Sequence, residues 1–205
     1  MTTYDDLRPG LKTGDIVLFA GESLFSKAIR FVTRSQWSHV GMVIKIERWN
    51  LALLWESTTP SDAKDIEGGT VTNGVQLVAL SSRVQSYKGK IAIRQLNKSI
   101  SDEQIDRLAA FRESVKGRKF EKDALELVRA AMDNTFLGDE EGEDLSSFFC
   151  SELIAESYQA MGLLQEGDKP SNEFTPADFS SRKPLALTGS FSLNEEIYLK
   201  RDQQD

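Results

Sequence analysis

Short apolar runs separated by turn residues dominate the first half of the chain and predict strands. Gly14 and Asp15 form a turn signal, and the continuous apolar run that follows them is typical of a buried strand. Other runs are rich in β-branched and apolar residues, which favour strands as well. The predicted strands cover 16–19, 35–46, 51–57, 74–80, 90–96 and about 195–200.

Apolar residues recur at helical spacing in other segments. Ser101 and Gln104 form a capping box before a predicted helix that ends at Gly117. Further helical segments are predicted from Ser23, over 81–87 as a short helix or turn, and over about 121–132. Because the neighbouring strands of the first half resemble hairpins, the whole pattern indicates an α+β fold.

The only cysteine lies in another predicted helix. Its apolar positions recur at helical spacing and are Phe149, Leu153, Ile154, Tyr158 and Met161. Ser146 or Ser147 can cap the start of this helix, and Gly162 suits its end. Cys150 is then in the first turn, where free backbone N–H groups and the helix dipole favour a thiolate. This position suits a catalytic nucleophile, and it equally suits a small buried hydrophobic residue.

The second and third predicted strands form a hairpin in which we expect His39 to lie opposite Glu56. A turn at Glu47 and Arg48 pairs Lys45 with Asn50 and Val43 with Ala52. Residues directly opposite in an antiparallel pair point to the same face, so Glu56 can hold the imidazole. On that face Gly41 and Ala52 are small, and we expect the helix that bears Cys150 to dock there. A slip of one residue would break the pairing.

Composition narrows the class of protein. The 205 residues suit one domain over 1–205, with a core over about 10–179 and a last strand over about 195–200. The net charge of -7 argues against a nucleic-acid surface or a basic membrane-binding face. No apolar run is long enough for a membrane span, and the first residues lack the pattern of a signal peptide, so we expect a cytoplasmic protein.

The same counts limit cofactor chemistry. One cysteine excludes an internal disulfide and a cysteine-based zinc cluster, and one histidine leaves little for a histidine-rich metal site. An acidic segment, 138–144, supplies enough oxygen ligands for a calcium hypothesis, but it lacks the alternating positions of a calcium loop and is more typical of a solvated loop. We therefore expect neither a cofactor nor a metal.

Cys150, His39 and Glu56 match the parts that acyl transfer by a thiol requires. The reaction needs a thiolate, a base that takes and returns a proton, and a group that orients the base. The backbone N–H of Cys150 is a candidate donor to the developing oxyanion. His39 can equally be a half-buried strand residue with a structural hydrogen bond. Other candidates for the orienting carboxylate are Glu47, Asp62 and Glu67.

These segments together resemble the permuted papain-like amidases of the NlpC superfamily, the YiiX/YaeF type. The resemblance covers roughly 10–179, and five segments carry it: Gly14–Phe19, Trp37–Ile44, Glu56, Phe149–Ile154 with Tyr158 and Gly162, and Pro176–Phe179. It implies a circularly permuted papain-like fold in which an antiparallel sheet packs against helices, including the cysteine helix. In this group the histidine strand precedes the cysteine, as it does here.

The resemblance also implies roles. By position, Cys150 would be the nucleophile, His39 the base and Glu56 the residue that orients it, while Asp15 resembles a structural residue. Members of the superfamily hydrolyse amide bonds in cell-wall peptides, and another permuted branch moves acyl groups on lipids or retinol. We therefore expect a cysteine amidase or peptidase that acts on a small peptide or peptide-like amide.

Three other functions remain open. The fold can serve as a non-catalytic peptide- or lipid-binding module, because a fold does not fix a function. The same three residues suit a thioesterase or acyltransferase. A redox sensor is disfavoured because the chain has no second cysteine to resolve an oxidised Cys150. The sequence leaves the oligomeric state open.

Overall fold

The computed structural model describes residues 2–22, 26–27, 30, 34–58, 63–118, 146–167, 169–183 and 185–200. In this part of the chain, six strands form one sheet with the order β4-β3-β2-β1-β5-β6, and all five pairs of neighbouring strands are antiparallel. This confirms the mixed α+β class with an antiparallel sheet. The helix predicted over about 121–132 and the acidic segment 138–144 lie outside the described residues. Only 26–27 and 30 are described in the helix predicted from Ser23, and they are helical.

The elements agree with the apolar pattern of the sequence, with changes at their ends. The strands are β1 Ile16–Gly21, β2 His39–Ile46, β3 Leu51–Thr58, β4 Gly74–Ala79, β5 Gly89–Arg94 and β6 Ile197–Tyr198. The described helices are α1 Tyr4–Leu7, α2 Leu80–Ser86, α3 Asp102–Val115 and α4 Ser146–Ala160. None of the helices described is long and apolar enough to cross a membrane.

The two faces of the sheet support separate apolar clusters. The cluster on one face joins the sheet to α4, and its members include Val40, Met42, Trp55, Leu153 and Tyr158. The cluster on the other face includes Val17, Phe19, Val43, Leu54 and Leu80, the first residue of α2. Burial on both faces explains why the central strands are nearly continuous apolar runs rather than alternating ones.

The pairing of β2 with β3 differs from the predicted one by two residues. Lys45 pairs with Ala52, and Ile46 pairs with Leu51. The connection is a four-residue turn, a 3₁₀ segment over Glu47–Trp49 followed by Asn50 in the left-handed region, rather than the expected two-residue turn. Asparagine tolerates this backbone conformation, which permits the longer turn. A shift of two leaves every side chain on its predicted face, because strand side chains alternate with a period of two.

The expected docking face of the cysteine helix was wrong. α4 packs against the face of Val40 and Met42, not against the face of Gly41 and Ala52. The space over Gly41 is already filled, since a Cβ atom there would lie 2.7 Å from Cδ1 of Leu54. The small residue at this position therefore accommodates the opposing strand rather than a helix.

The turn at Gly14 and Asp15 is a junction between three elements. The backbone of this turn exchanges hydrogen bonds with Val43 of β2, and the Gly14 carbonyl accepts one from the Tyr158 hydroxyl of α4. The carboxylate of Asp15, which is fully buried, accepts the N–H groups of Lys12 at 2.8 Å and Leu96 at 2.9 Å. These contacts support the structural role suggested for Asp15.

Asp15 should make the stability of the protein depend on pH. Burial raises the pKa of Asp15 to about 6, despite the opposing hydrogen bonds from Lys12 and Leu96. Because the folded state holds this proton more tightly than the unfolded chain, where aspartate has a pKa of about 3.9, the contribution of Asp15 to the free energy of unfolding should decline as pH rises from about 4 to about 6. Urea unfolding at several pH values should show the decline in the wild type relative to Asp15→Asn. Parallel pH curves for the two proteins would contradict it.

Candidate active site

His39 and Glu56 form a buried hydrogen-bonded pair on the face of the sheet that α2 covers. Nε2 of His39 lies 2.7 Å from Oε2 of Glu56, and the side chains are 6% and 0% exposed. His39 is the first residue of β2 and pairs with Phe19 of β1, whose ring contacts the imidazole at a centroid distance of 5.4 Å. Under the observed register the two side chains meet diagonally across the strands, which is within the reach of long side chains.

Glu56 has two further partners that the sequence analysis did not identify. Its other oxygen, Oε1, accepts a hydrogen bond from Nε2 of Gln76 at 2.8 Å and lies 3.2 Å from Nε of Arg83. Burial alone would raise the pKa of Glu56, but Arg83, His39 and Gln76 together lower it to about 2. The carboxylate is therefore ionised at neutral pH. One signal was present in the sequence, because Gln76 is a lone polar residue within the apolar run of β4.

Cys150 lies deeper in its helix than expected. The described part of α4 starts at Ser146, so at least four helical residues precede Cys150, which lies beyond the first turn. At this position the backbone N–H falls within the regular i→i−4 pattern of the helix, and the helix dipole acts mainly in the first turn. Activation of the thiol by the helix start is therefore weaker than predicted, and so is the case for its N–H as an oxyanion donor.

Cys150 interacts with the imidazole of His39 and changes its pKa. Burial disfavours the charged imidazole, but the charge and side-chain hydrogen bonding of Cys150, together with Glu56, outweigh burial and raise the pKa of His39 to about 10. Nε2 faces Glu56, whereas Nδ1 is buried without a well-aligned hydrogen-bond partner and is the nitrogen available to the thiol. The contact is looser than an ideal hydrogen bond, as is common in catalytic sites without substrate. A pKa raised in this way favours the protonated imidazole beside a charged Cys150.

Separate anchors hold the segments that carry the two reactive groups. Just before His39, the Ser38 hydroxyl accepts the N–H of Gly21 at 3.1 Å, and the indole of Trp37 donates to the carboxylate of Glu196 at 2.9 Å. Next to Cys150, the Ser151 hydroxyl donates to the carbonyl of Phe174 at 2.6 Å. Both positions are thus fixed by buried or half-buried hydrogen bonds.

The other carboxylates considered for the orienting role have different surroundings. Glu47 begins the exposed turn between β2 and β3, and Glu67 forms ion pairs with Arg112 at 3.0 Å and with Lys116 at 3.5 Å. Asp62 lies outside the described residues. No group of three or more His, Cys, Asp or Glu side chains within the described ranges is arranged to hold a metal ion.

Comparison with known proteins finds a similarity of overall architecture and no significant similarity of sequence. No protein-family profile matches this sequence. No curated protein shows significant sequence similarity to it. The chain is similar to the crystal structure of the metalloprotein yiiX from Escherichia coli O157:H7, with a TM-score of 0.48, 18% sequence identity and coverage of 94% of this chain and 98% of that one. This likeness concerns overall architecture and assigns no residue role or activity to the present chain.

Proposed function

We propose that this protein is a cysteine-dependent hydrolase of amide bonds in small peptides or cell-wall peptide fragments, built on a permuted papain-like fold. The observation that carries the proposal is the buried chain of three groups, in which Cys150 acts on His39 and His39 bonds to Glu56 at 2.7 Å. A thiol, an imidazole and a carboxylate in this order are the parts of a nucleophile, a base and an orienting group. The sequence resemblance supports amide bonds as the substrate class.

The geometry suggests the following reaction. The Cys150 thiolate forms a bond to the carbonyl carbon of the amide, and the π electron pair of the carbonyl moves to its oxygen. When that pair returns, the C–N bond breaks, and the His39 imidazolium donates its Nδ1 proton to the leaving amine. His39, now neutral, removes a proton from water, which attacks the acyl-enzyme and releases the acid and the thiolate. Glu56 holds Nε2 throughout, which leaves Nδ1 as the nitrogen that exchanges protons.

A substrate screen tests this proposal. Peptides, cell-wall peptide fragments, acyl esters and thioesters are offered side by side to the wild type and to Cys150→Ala, with circular dichroism to verify that the variant folds. We expect hydrolysis of at least one amide by the wild type and its loss in Cys150→Ala. Equal hydrolysis by both proteins would rule Cys150 out as the nucleophile. Turnover of esters or thioesters alone would instead assign the same three residues to a thioesterase or acyltransferase.

Burial of the site favours a second candidate, a non-catalytic binding module. Cys150 is 0% exposed and His39 is 5% exposed, which is unusual for groups that must reach a substrate. The rate at which iodoacetamide alkylates the single cysteine separates the two functions. A hydrolase should react at neutral pH much faster than its His39→Ala variant, because the imidazolium stabilises the thiolate. A binding module should show the same slow rate in both proteins.

We propose no metal in this mechanism. The solved structure that resembles the chain is described as a metalloprotein. Among the described residues of the present chain, no three His, Cys, Asp or Glu side chains cluster as they would around a metal ion. The carboxylate and imidazole nearest to each other, Glu56 and His39, are already bonded together.

A further inference from the structure

Glu56 uses both carboxylate oxygens, and each faces a different cation. Oε2 accepts from His39 at 2.7 Å, while Oε1 faces Arg83 at 3.2 Å and accepts from Gln76 at 2.8 Å. The carboxylate is fully buried. The ion pair with Arg83 is therefore part of the site interior, where charges are screened little, rather than an exposed pair of small effect.

Arg83 is held in place by aromatic rings. Its guanidinium lies 5.6 Å from the ring centroid of Phe19 and 5.4 Å from that of Tyr87, and its side chain is only 12% exposed. Phe19 also contacts the imidazole of His39. A planar guanidinium that packs against two aromatic rings supplies a fixed positive charge, which a mobile surface side chain would not.

Together the four groups form a row of alternating charges. With Cys150 as a thiolate and His39 as an imidazolium, the charges of Cys150, His39, Glu56 and Arg83 sum to zero. Buried charges are tolerated when they are paired, and an uncompensated one is usually removed by a change of protonation. Without Arg83 the remaining three groups would carry a net negative charge, and the simplest way to neutralise it is a proton on the sulfur of Cys150.

We propose that Arg83 is a positioning residue whose charge, acting through Glu56 and His39, extends the reactive thiolate form of Cys150 to lower pH. This inference rests on the proposed function for its biological meaning, although the charge effect can be measured without turnover. The titratable and charged groups that contact Glu56 and Arg83 from the described elements are His39 of β2 and Tyr87 after α2, and Cys150 of α4 interacts in turn with His39. Arg83 contacts none of the reacting atoms, so its effect is on protonation and alignment.

The test is a thiolate titration of variants at this position. The ultraviolet absorbance of the thiolate is followed against pH and corrected with Cys150→Ala, which isolates the single cysteine. In Arg83→Gln we expect the midpoint of thiolate formation to move up by about 1 pH unit, at the low end of the shifts caused by a neighbouring charge, because Arg83 acts on the sulfur through Glu56 and His39. Arg83→Lys keeps the charge and should stay within about 0.3 unit of the wild type, which is small beside that effect.

Arg112→Gln is the matched control. Arg112 also pairs with a glutamate, Glu67, at 3.0 Å and also lies over an aromatic ring, that of Trp55, at 4.8 Å, but it is on α3 and its carboxylate partner is Glu67 rather than Glu56. Its replacement should leave the midpoint unchanged. A midpoint that does not move in Arg83→Gln, or that moves equally in Arg112→Gln, overturns the inference. If Arg83→Gln does not fold, Arg83→Lys decides alone, because a midpoint moved by more than about 1 unit contradicts a role of charge.

The outcome is independent of the proposed hydrolysis. Dependence of amide hydrolysis on Cys150 together with an unmoved midpoint in Arg83→Gln would reject the role of Arg83 and leave the hydrolase proposal standing. A shifted midpoint in a protein that hydrolyses no tested substrate would support the role of Arg83 and reject the hydrolase proposal. Where hydrolysis is found, the acid limb of its pH profile should move with the thiolate midpoint, whereas a merely structural loss would lower the rate at every pH.

Discussion

In Cys150→Ala, the pKa of His39 should fall by about 2 units or more, as expected when a charged partner is lost. Burial lowers this pKa, and the charge and hydrogen bonding of Cys150 are the largest influences that raise it to about 10. The chain contains one histidine, so the imidazole signals in an NMR titration belong to His39 without further assignment. The wild type should hold a protonated imidazole through neutral pH, and the variant should begin to lose that proton much earlier.

Cys150→Ser separates the two parts of this effect. A serine hydroxyl can keep the hydrogen bond to the imidazole but does not ionise in this pH range. Its His39 pKa should therefore fall below that of the wild type while remaining above that of Cys150→Ala. If the three proteins gave the same His39 titration, Cys150 would not interact with the imidazole, and the three-group arrangement would lose its nucleophile.

Glu56→Ala should be among the most destabilising single substitutions, at a cost of about 3–5 kcal/mol in the free energy of unfolding. Glu56 is fully buried and bonds to His39, Gln76 and Arg83. Its removal leaves the guanidinium of Arg83 without an anion and the amide of Gln76 without its acceptor, and uncompensated buried groups are costly. Urea unfolding at neutral pH measures the loss.

Glu67→Ala provides the comparison for Glu56→Ala. Glu67 also forms ion pairs with basic residues, Arg112 and Lys116, but its side chain is 26% exposed and the Lys116 side chain is 48% exposed. Partly exposed pairs of this kind contribute less than about 1 kcal/mol. Similar costs for the two substitutions would mean that the contacts of Glu56 are worth no more than a surface ion pair, and that the site is not built around its charge.

The strands and capped helices could be predicted because their signals are local. Ser101 and Gln104 form the expected capping box at the start of α3. Such signals depend on residues three or four positions apart, which a sequence displays directly. The exact ends of the elements depend on tertiary contacts and were less well predicted, as the start of β2 at His39 rather than at residue 35 illustrates.

Sequence reasoning selected scarce residues as site candidates and missed two residues of common types that contact Glu56. Cys150 and His39 are the only residues of their types, so candidates were few. Gln76 and Arg83 approach Glu56 only because β4 pairs with β3 and α2 then folds back over the same face. Arg83 is one of many basic residues in the chain, and nothing in its immediate sequence distinguishes it.

The docking face of α4 could not be predicted from the sizes of strand residues. A small residue such as Gly41 was interpreted as space for a helix, but Leu54 from the neighbouring strand occupies that space. Whether a gap receives a helix or a neighbouring side chain depends on volumes contributed from both sides of the sheet, which are set by packing rather than by one strand. The alternation along β2 and β3 was a safer guide, since it survived an error of two residues in register.

The Gly14–Asp15 turn connects the strand that carries His39 with the helix that carries Cys150. From Val43, β2 runs back to His39 over four residues, or about 13 Å of strand. From Tyr158, α4 runs back to Cys150 over eight residues, or about 12 Å of helix. Val43 and Tyr158 both hydrogen-bond to this same turn. The separation between the sulfur of Cys150 and the imidazole of His39 therefore depends on a turn that contacts neither group. A substitution that loosens this turn would misalign the two groups.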